Sequence, residues 1–274
     1  MTEAIATHPN TLAQNLTGRN YLSYSAISTY QQCPLRYFFK YVAGLPEDVV
    51  SASLVFGGAI HAAVQRHFEE LLAGAPLPSL EDLMEAYRAE WEDRKTAGVK
   101  FNKGDNETTL ADLASRMIQA FQASDMAMTD GTILGVEEEI VGELVPGCPD
   151  LLAKLDLVID TDDAVVITDF KTAKSAWTNE QAEESGTQLL LYSELAKVLV
   201  PGKQVRLQFV VLTKTKEPSV EAYPLTVDPQ RIARTKRIVE RVWQAISAQH
   251  FYPSPSPVQC PTCPYRQPCR AWQG

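Results

Sequence analysis

The sequence lacks the long apolar segments of a membrane or secreted protein. No stretch of its 274 residues approaches the roughly 18 uninterrupted apolar residues that a membrane span needs. The first twenty residues, MTEAIATHPNTLAQNLTGRN, are polar and have no apolar core of the kind found in a secretory signal. We therefore expect a soluble, cytoplasmic protein without a membrane partner, and a disordered N-terminal segment over residues 1–20.

Cysteine is scarce as well, and the odd number of five argues against a disulfide framework. Three of the five lie in the last fifteen residues, as Cys260, Cys263 and Cys269 of CPTCPYRQPC. Thiols at this spacing in a proline-rich loop are suited to one soft metal centre with a fourth ligand from elsewhere. On chemistry alone the centre could be zinc or an iron–sulfur cluster. The fourth ligand could be Cys33 or Cys148.

Positive charge is in deficit, with 25 Lys and Arg against 34 Asp and Glu and a net charge of −9. This balance argues against a protein that binds nucleic acid over its whole surface. The basic residues are concentrated near the C-terminus, where residues 201–274 contain 11 Lys and Arg against 4 Asp and Glu. A local phosphate-binding face would fit that distribution, and so would a solvated basic helix.

The order of sequence patterns predicts a helical first half followed by a sheet. Helical patterns begin near Ser25, continue in FGGAIHAAVQRHFEELLAG, entered through Gly57 and Gly58, and recur over 79–95 and 108–126. From about Thr132 the chain changes to short stretches rich in β-branched residues, interrupted by one helix and followed by a helix that starts at Asp228-Pro229. We expect one domain over 21–274, with a helical elaboration over 70–130.

The segment KLDLVIDTDDAVVITDFKT predicts a β-hairpin with its turn at Asp162-Asp163. A two-residue turn there places Asp156 directly opposite Asp169 on one face, and Lys171 projects to the same side. Two facing carboxylates are unfavourable unless a cation offsets their charge, and Mg²⁺ takes such oxygen ligands. A nearby lysine can then act on bound water or on phosphate charge. The alternative is a surface turn whose charges are simply solvated.

In sequence order, these residues resemble the motifs of the PD-(D/E)XK nucleases, and within them the RecB-like branch that carries an iron–sulfur cluster. A helical histidine after a glycine is matched by Gly58-Ala59-Ile60-His61, and (D/E)-x-K by Asp169-Phe170-Lys171. The strand motif G-x-x-D is matched by Ala153-Lys154-Leu155-Asp156, with alanine in place of glycine. A helical Q-x-x-x-Y follows as Gln188 to Tyr192.

A literal Pro-Asp dipeptide, Pro149-Asp150, offers a rival to the aspartate of the strand motif G-x-x-D. In the predicted hairpin the partner of Asp150 would be Ser175, which lies beyond the end of the apolar strand. We therefore prefer Asp156 as the site aspartate.

The resemblance implies an α/β (α+β), restriction-endonuclease-like core with a central mixed sheet flanked by helices. It implies a DNA exonuclease that uses Mg²⁺ or Mn²⁺ and acts on single strands or ends in repair, recombination or defence. His61, Asp156, Asp169 and the Phe170 carbonyl would hold the metal. Lys171 would position the attacking water, and Gln188 and Tyr192 would contact the substrate or support the site.

The resemblance also selects among the cysteine alternatives. It implies a 4Fe–4S cluster in a tail over residues 250–274, held by Cys33, Cys260, Cys263 and Cys269. The implied partners are DNA and either a helicase or a CRISPR integrase. Two alternatives stay open, a CRISPR-adaptation nuclease that works beside integrase partners and a non-catalytic DNA-binding scaffold subunit.

Overall fold

The chain forms two compact units, each assembled from segments that are distant in sequence. A computed structural model describes residues 8–47, 49–95, 98–197 and 201–274. The first unit takes its described residues from 8–47, 139–153 and 229–274, and the second from 49–138 and 154–228. Two of the four boundaries between the units fall within strands, at 138/139 and 153/154. A single domain over 21–274 stays a prediction.

Most helices of the described residues precede Thr132, where the first long strand begins, and the remaining helices follow Ala173. The helices are α1 (Pro9–Thr17), α2 (Tyr24–Gln32), α3 (Pro34–Tyr37), α4 (Ala52–Leu72), α5 (Leu80–Arg94), α6 (Glu107–Gln122), α7 (Asn179–Ser185), α8 (Thr187–Ala196), α9 (Pro229–Ser247) and α10 (Arg266–Ala271). The strands are β1 (Tyr21–Ser23), β2 (Val50–Ser51), β3 (Val99–Lys100), β4 (Thr132–Gly142), β5 (Asp150–Asp160), β6 (Ala164–Ala173), β7 (Gln204–Thr213) and β8 (Val220–Leu225). A π-helical turn (Phe38–Val42) and two 3₁₀ turns (Asp125–Ala127 and Cys260–Thr262) complete the order.

The main sheet is mixed, as the sequence predicted. Strands β5 and β6 are antiparallel, β6 and β7 parallel, and β7 and β8 antiparallel. The predicted hairpin register is confirmed, because the pairing runs from Asp160–Val165 to Leu157–Thr168. One further step along this register brings Asp156 opposite Asp169. The short β1 runs parallel to the first residues of β5, and β4 also pairs with β5.

Helices α4 and α6 pack on the sheet of the second unit around an aromatic core, and α5 packs on these two helices. The ring centroid of Phe170 from β6 lies 5.7 Å from that of Phe68 and 6.2 Å from that of Phe121. The predicted helices over 79–95 and 108–126 are confirmed as α5 and α6, and each begins at a capping box. No helix in the described ranges has the length and apolar character needed to cross a membrane.

Helix α4 starts earlier than the sequence pattern indicated. The Ser51 side chain accepts a hydrogen bond from the Ser53 N–H at 3.3 Å and caps the helix. The glycine pair predicted as the entrance, Gly57 and Gly58, therefore lies inside the helix. Neither glycine is among those with positive φ, so the backbone of α4 does not itself require glycine there.

The disorder expected over residues 1–20 does not hold for Pro9–Thr17. His8 accepts a hydrogen bond from the Asn10 N–H and Pro9 occupies the first helical position, where its missing N–H carries no cost. The Asn10 side chain then donates to the Asp150 carboxylate at 2.8 Å and accepts from the Asp150 N–H at 2.9 Å. These contacts fix the segment as helix α1. Residues 1–7 lie outside the described residues.

Candidate functional site

A cavity of about 550 Å³ in the second unit is lined by residues from five elements, α4, α5, β4, β5 and β6. His61 comes from α4, Asp156 from β5 and Lys171 from β6. Glu137 comes from β4. Asp169 lies two residues before Lys171 on the same strand and is 4% exposed. The elements of the fold thus gather the histidine, the carboxylates and the lysine of the predicted motifs.

The imidazole of His61 faces carboxylates. Its Nδ1 lies 3.5 Å from Asp156 Oδ2, and one ligand atom each of His61, Glu137 and Asp156 lie within 4.8 Å of one another. Asp156 is itself fixed, because its Oδ2 accepts the Phe170 N–H at 2.8 Å. Nitrogen and oxygen donors at this spacing form a candidate site for a divalent cation.

Asp169 and Lys171 form an ion pair on the face that the hairpin register predicts. The Lys171 ammonium lies against Asp169 Oδ2 without hydrogen-bonding geometry, and within the described residues that buried oxygen has no hydrogen-bond partner. The ammonium also lies 5.7 Å from the ring centre of Phe209. A buried carboxylate oxygen without a hydrogen bond is costly, and a bound cation would satisfy it.

The protonation equilibria of the site are shifted by burial and by charge. Burial raises the pKa of Asp156 well above the ordinary carboxyl range, and the negative charge of Asp169 raises it further. Burial lowers the pKa of His61, and the positive charge of Lys171 lowers it again. Without a cation, the site therefore favours a protonated carboxyl and a neutral imidazole. A neutral imidazole has the free lone pair that a metal ligand needs.

Glu137 is the cavity carboxylate that sequence reasoning missed. It lies in a run of three glutamates on β4, so no spacing or motif distinguishes it from its neighbours. The structure distinguishes Glu137 from the other two glutamates. Its φ is positive, at 54°, and its Oε2 lies 2.6 Å from Lys154 Nζ. Conformations of this kind are uncommon outside glycine and cannot be read from the residue types alone.

Gln188 and Tyr192 lie one turn apart on α8, which packs on β6 and β7. The Gln188 Nε2 donates a hydrogen bond to Tyr192 Oη at 3.1 Å. Burial raises the pKa of Tyr192 to about 12, and the negative charges of Asp169 and Asp156 contribute to the shift. Tyr192 is buried, and neither residue lines the cavity.

The rival aspartate, Asp150, has a different environment. Both its carboxylate and its backbone N–H are bonded to Asn10 of α1. It does not line the cavity that contains His61 and Asp156. This placement gives Asp150 a local structural role in holding α1.

A second cavity, of about 290 Å³ in the first unit, is lined by four of the five cysteines, Cys33, Cys260, Cys263 and Cys269. All five cysteines are free thiols in the structure. Backbone N–H groups point at two of the sulfurs, from Ser254 to Cys33 Sγ at 3.5 Å and from Ser256 to Cys260 Sγ at 3.2 Å. Cys148 is not part of this lining, and burial followed by the Glu240 charge raises its pKa to about 11.

The basic C-terminal segment of the sequence includes helix α9. Arg234, Arg237 and Arg241 are exposed on this helix and line a shallow depression of about 330 Å³ together with Tyr30. Their spacing of three and four residues places them on one helix face. Phosphate binding by this face stays a prediction.

Comparison with known proteins supports the superfamily that the sequence motifs resembled. A family model described as the PD-(D/E)XK nuclease superfamily matches residues 21–270. The chain belongs to this superfamily. Its mixed sheet with flanking helices is accordingly a restriction-endonuclease-like fold, and nucleases of this superfamily generally use divalent metals and cleave DNA.

A solved structure shares the fold at low sequence identity. A crystal structure from Eubacterium rectale, named "Putative exonuclease", matches with a TM-score of 0.58 and 16% identity, covering 100% of this chain and 94% of that one. The structure of SSO0001 matches with a TM-score of 0.37 and 13% identity, covering 90% of this chain and 95% of that one, and is too distant to support an argument. No curated protein matches the chain.

Proposed function

We propose that this protein is a divalent-metal-dependent exodeoxyribonuclease that acts on single-stranded DNA or on DNA ends. The observation that supports it most strongly is the cavity in which His61, Asp156 and Lys171 meet, with buried Asp169 beside them. The structure from Eubacterium rectale with the same fold carries an exonuclease name, which favours attack from strand ends.

The donors present fit Mg²⁺ or Mn²⁺. Asp169 Oδ2 is buried without a hydrogen-bond partner among the described residues. Burial and the negative charge of Asp169 raise the pKa of Asp156 despite the opposing charge of Lys171, and a divalent cation would offset both carboxylates. The ligands would be the imidazole of His61, the carboxylates of Asp156 and Asp169, and the Phe170 carbonyl. The cation would activate a bound water and offset negative charge on the phosphate.

The side chains around this position have separate tasks. The Phe170 N–H holds the Asp156 carboxylate in place, and Asp169 directs the Lys171 ammonium. That ammonium can donate hydrogen bonds to the attacking water and to a non-bridging phosphate oxygen, where negative charge develops during cleavage. Gln188 and Tyr192 support the strands from α8.

We further propose that the four cysteines around the second cavity hold a 4Fe–4S cluster. Four thiolates around one cavity could also bind a single zinc ion, and the resemblance to the RecB-like branch favours the cluster. Arg36, Arg266 and Arg270 also line the cavity, and the buried Arg36 Nε has no hydrogen-bond partner within the described ranges. Positive charge and N–H donors towards sulfur are what an anionic thiolate-bound cluster requires.

The cluster would have a structural role. Cys33 follows α2, while the other three ligands lie at the end of the chain. A shared group would close a loop of more than 200 residues and would restrict the unfolded chain accordingly. A helicase or integrase partner, a pathway in repair or defence, and a cytoplasmic location stay predictions.

The nuclease proposal is tested with end-labelled single- and double-stranded DNA, Mn²⁺, and product lengths read over time. We expect short products from the labelled end at the earliest times, a preference for single strands, and no cleavage in EDTA. Internal fragments at early times would instead indicate an endonuclease. Intact DNA with both Mg²⁺ and Mn²⁺ would refute the proposed function.

A further inference from the structure

An arginine from the helical elaboration reaches the cavity of the candidate site. Arg94 is the last residue of α5, and it lines the cavity with His61, Asp156 and Lys171. No motif in the sequence points to it, because α5 lies in the region between the recognised family motifs. Its position beside three candidate site residues is therefore a finding of the structure.

The Arg94 side chain lies against Gly58, in space that a Cβ at residue 58 would enter. A Cβ atom added to Gly58 would lie 2.8 Å from Arg94 Cδ and closer still to Nε and Cζ, and these are the three atoms nearest to it. Glycine within a helix costs about 1 kcal/mol relative to alanine. Since Gly58 does not have positive φ, the backbone conformation does not explain this choice. A Cβ at residue 58 would instead require the end of the Arg94 side chain to shift.

Gly58 and His61 share one face of α4, because residues three apart on a helix are neighbours. The Arg94 side chain against Gly58 is thus about one turn from the imidazole that faces Asp156. This position is close to the candidate metal site without belonging to it. DNA bound for cleavage would present its backbone phosphates in this region.

The charge pairing of Arg94 leaves its terminal nitrogens available. Arg94 Nε donates to Glu90, four residues earlier on α5, and within the described residues no other polar contact of Arg94 is present. The guanidinium has five donors in a planar fork that matches two phosphate oxygens. The other two cations of the cavity are paired with candidate metal ligands: Lys154 with Glu137 and Lys171 with Asp169.

We propose that Arg94 binds a backbone phosphate of the DNA strand and positions that strand over the candidate metal site. This proposal rests on the proposed nuclease function, since it deepens the substrate recognition of the same cavity. Glu90 holds the guanidinium in place before DNA arrives, and Gly58 leaves the space in which it lies. The ligand chemistry is a phosphodiester anion, recognised through charge and the two-pronged geometry of guanidinium.

The first test compares Arg94→Ala with Arg88→Ala. Arg88 lies on the same helix, is similarly exposed, pairs with Glu81 at 2.6 Å and does not line the cavity. Affinity for a fluorescent single-stranded oligonucleotide is measured with Mn²⁺ in an Asp169→Asn background, so that no cutting is needed. We expect Arg94→Ala to weaken binding about tenfold and to reduce the log–log salt slope by about 0.7, the value of one phosphate contact on a single strand. Arg88→Ala should change neither quantity.

The second test uses Gly58→Ala, which forces the Arg94 side chain to move but favours the helix. We expect thermal stability equal to or above that of the parent protein, together with weaker DNA binding. The double variant should bind no more weakly than Arg94→Ala alone, because both changes act through one side chain. Equal affinities and salt slopes for Arg94→Ala and Arg88→Ala would overturn the proposal.

The two proposals fail separately. If the wild-type protein cuts DNA and the Arg94 and Arg88 variants bind alike, the nuclease stands and the phosphate site is wrong. If the wild-type protein cuts nothing but Arg94→Ala specifically loses affinity and salt dependence, the phosphate site stands and the nuclease is wrong.

Discussion

Replacing Asp156 with asparagine should separate the cost of its charge from its use as a ligand. Burial and the neighbouring Asp169 charge raise the pKa of Asp156, while its Oδ2 accepts the Phe170 N–H at 2.8 Å. Asparagine keeps a side-chain oxygen for that hydrogen bond and carries no charge to desolvate. We therefore expect Asp156→Asn to unfold at a higher temperature than the wild-type protein in EDTA at neutral pH.

The difference in stability between the wild-type protein and Asp156→Asn should depend on pH. A carboxyl group with a raised pKa in the folded state holds its proton more tightly there than in the unfolded chain. Its contribution to stability is complete below the unfolded pKa of about 3.9 and is lost as the pH rises through the folded pKa. Denaturant titrations in EDTA should therefore show the difference in unfolding free energy, wild type minus Asp156→Asn, falling as the pH rises through that range.

Added Mn²⁺ should reverse the order of the two melting temperatures, so that the wild-type protein becomes the more stable. A cation at a hundred times its Kd stabilises a folded protein by about 2.7 kcal/mol, or a Tm rise of about 5–10 °C for a chain of this size. The wild-type protein should show this rise and Asp156→Asn should not. Asp150→Asn is the matched control on the same strand and should keep it, because Asp150 is bonded to Asn10. Loss of the rise in Asp150→Asn with retention in Asp156→Asn would refute the assigned site.

Three further outcomes are expected. Lys171→Ala should retain the Mn²⁺-dependent rise in Tm but cleave at least about a hundredfold more slowly, and loss of the rise would mean that the lysine is structural. Anaerobically purified Cys33→Ser should be colourless, contain no cluster iron and have a lower Tm, while Cys148→Ser should keep the brown colour, the iron and the Tm of the wild-type protein. A colourless Cys148→Ser beside a brown Cys33→Ser would identify Cys148 as the fourth ligand. Arg237→Glu on α9 should weaken DNA binding more than Arg116→Glu on α6. Equal effects would mean that the arginines of α9 are solvated and do not bind DNA.

The central hairpin and its chemistry could be predicted because local rules determine them. A two-residue turn at Asp162-Asp163 fixes the register of β5 and β6, and register fixes which side chains share a face. The ion pair of Asp169 and Lys171 follows from the alternation of side chains along a strand.

The remaining parts of the site depend on packing between distant segments. Glu137 is one of three consecutive glutamates, and only the path of β4 selects it. The sequence pattern predicted a helix start at Gly58, because glycine is unfavourable within helices. The side chain that lies against this glycine belongs to Arg94, 36 positions later. Helix α1 is held by Asn10 and Asp150, which are 140 residues apart. Contacts at such separations leave no periodic signal in the sequence.

The most direct test of the nuclease site is the cleavage rate of Asp169→Asn beside that of the wild-type protein, at saturating Mn²⁺ and on end-labelled single-stranded DNA. Asparagine nearly preserves the shape of the buried side chain but removes the carboxylate that pairs with Lys171. Outer-shell partners of a metal typically contribute 10–100-fold to activity, and loss of a direct ligand should exceed that. We predict a fall of more than about a hundredfold with an unchanged circular dichroism spectrum. Cleavage within a few-fold of the wild-type rate would contradict the assignment of this cavity as the nuclease site.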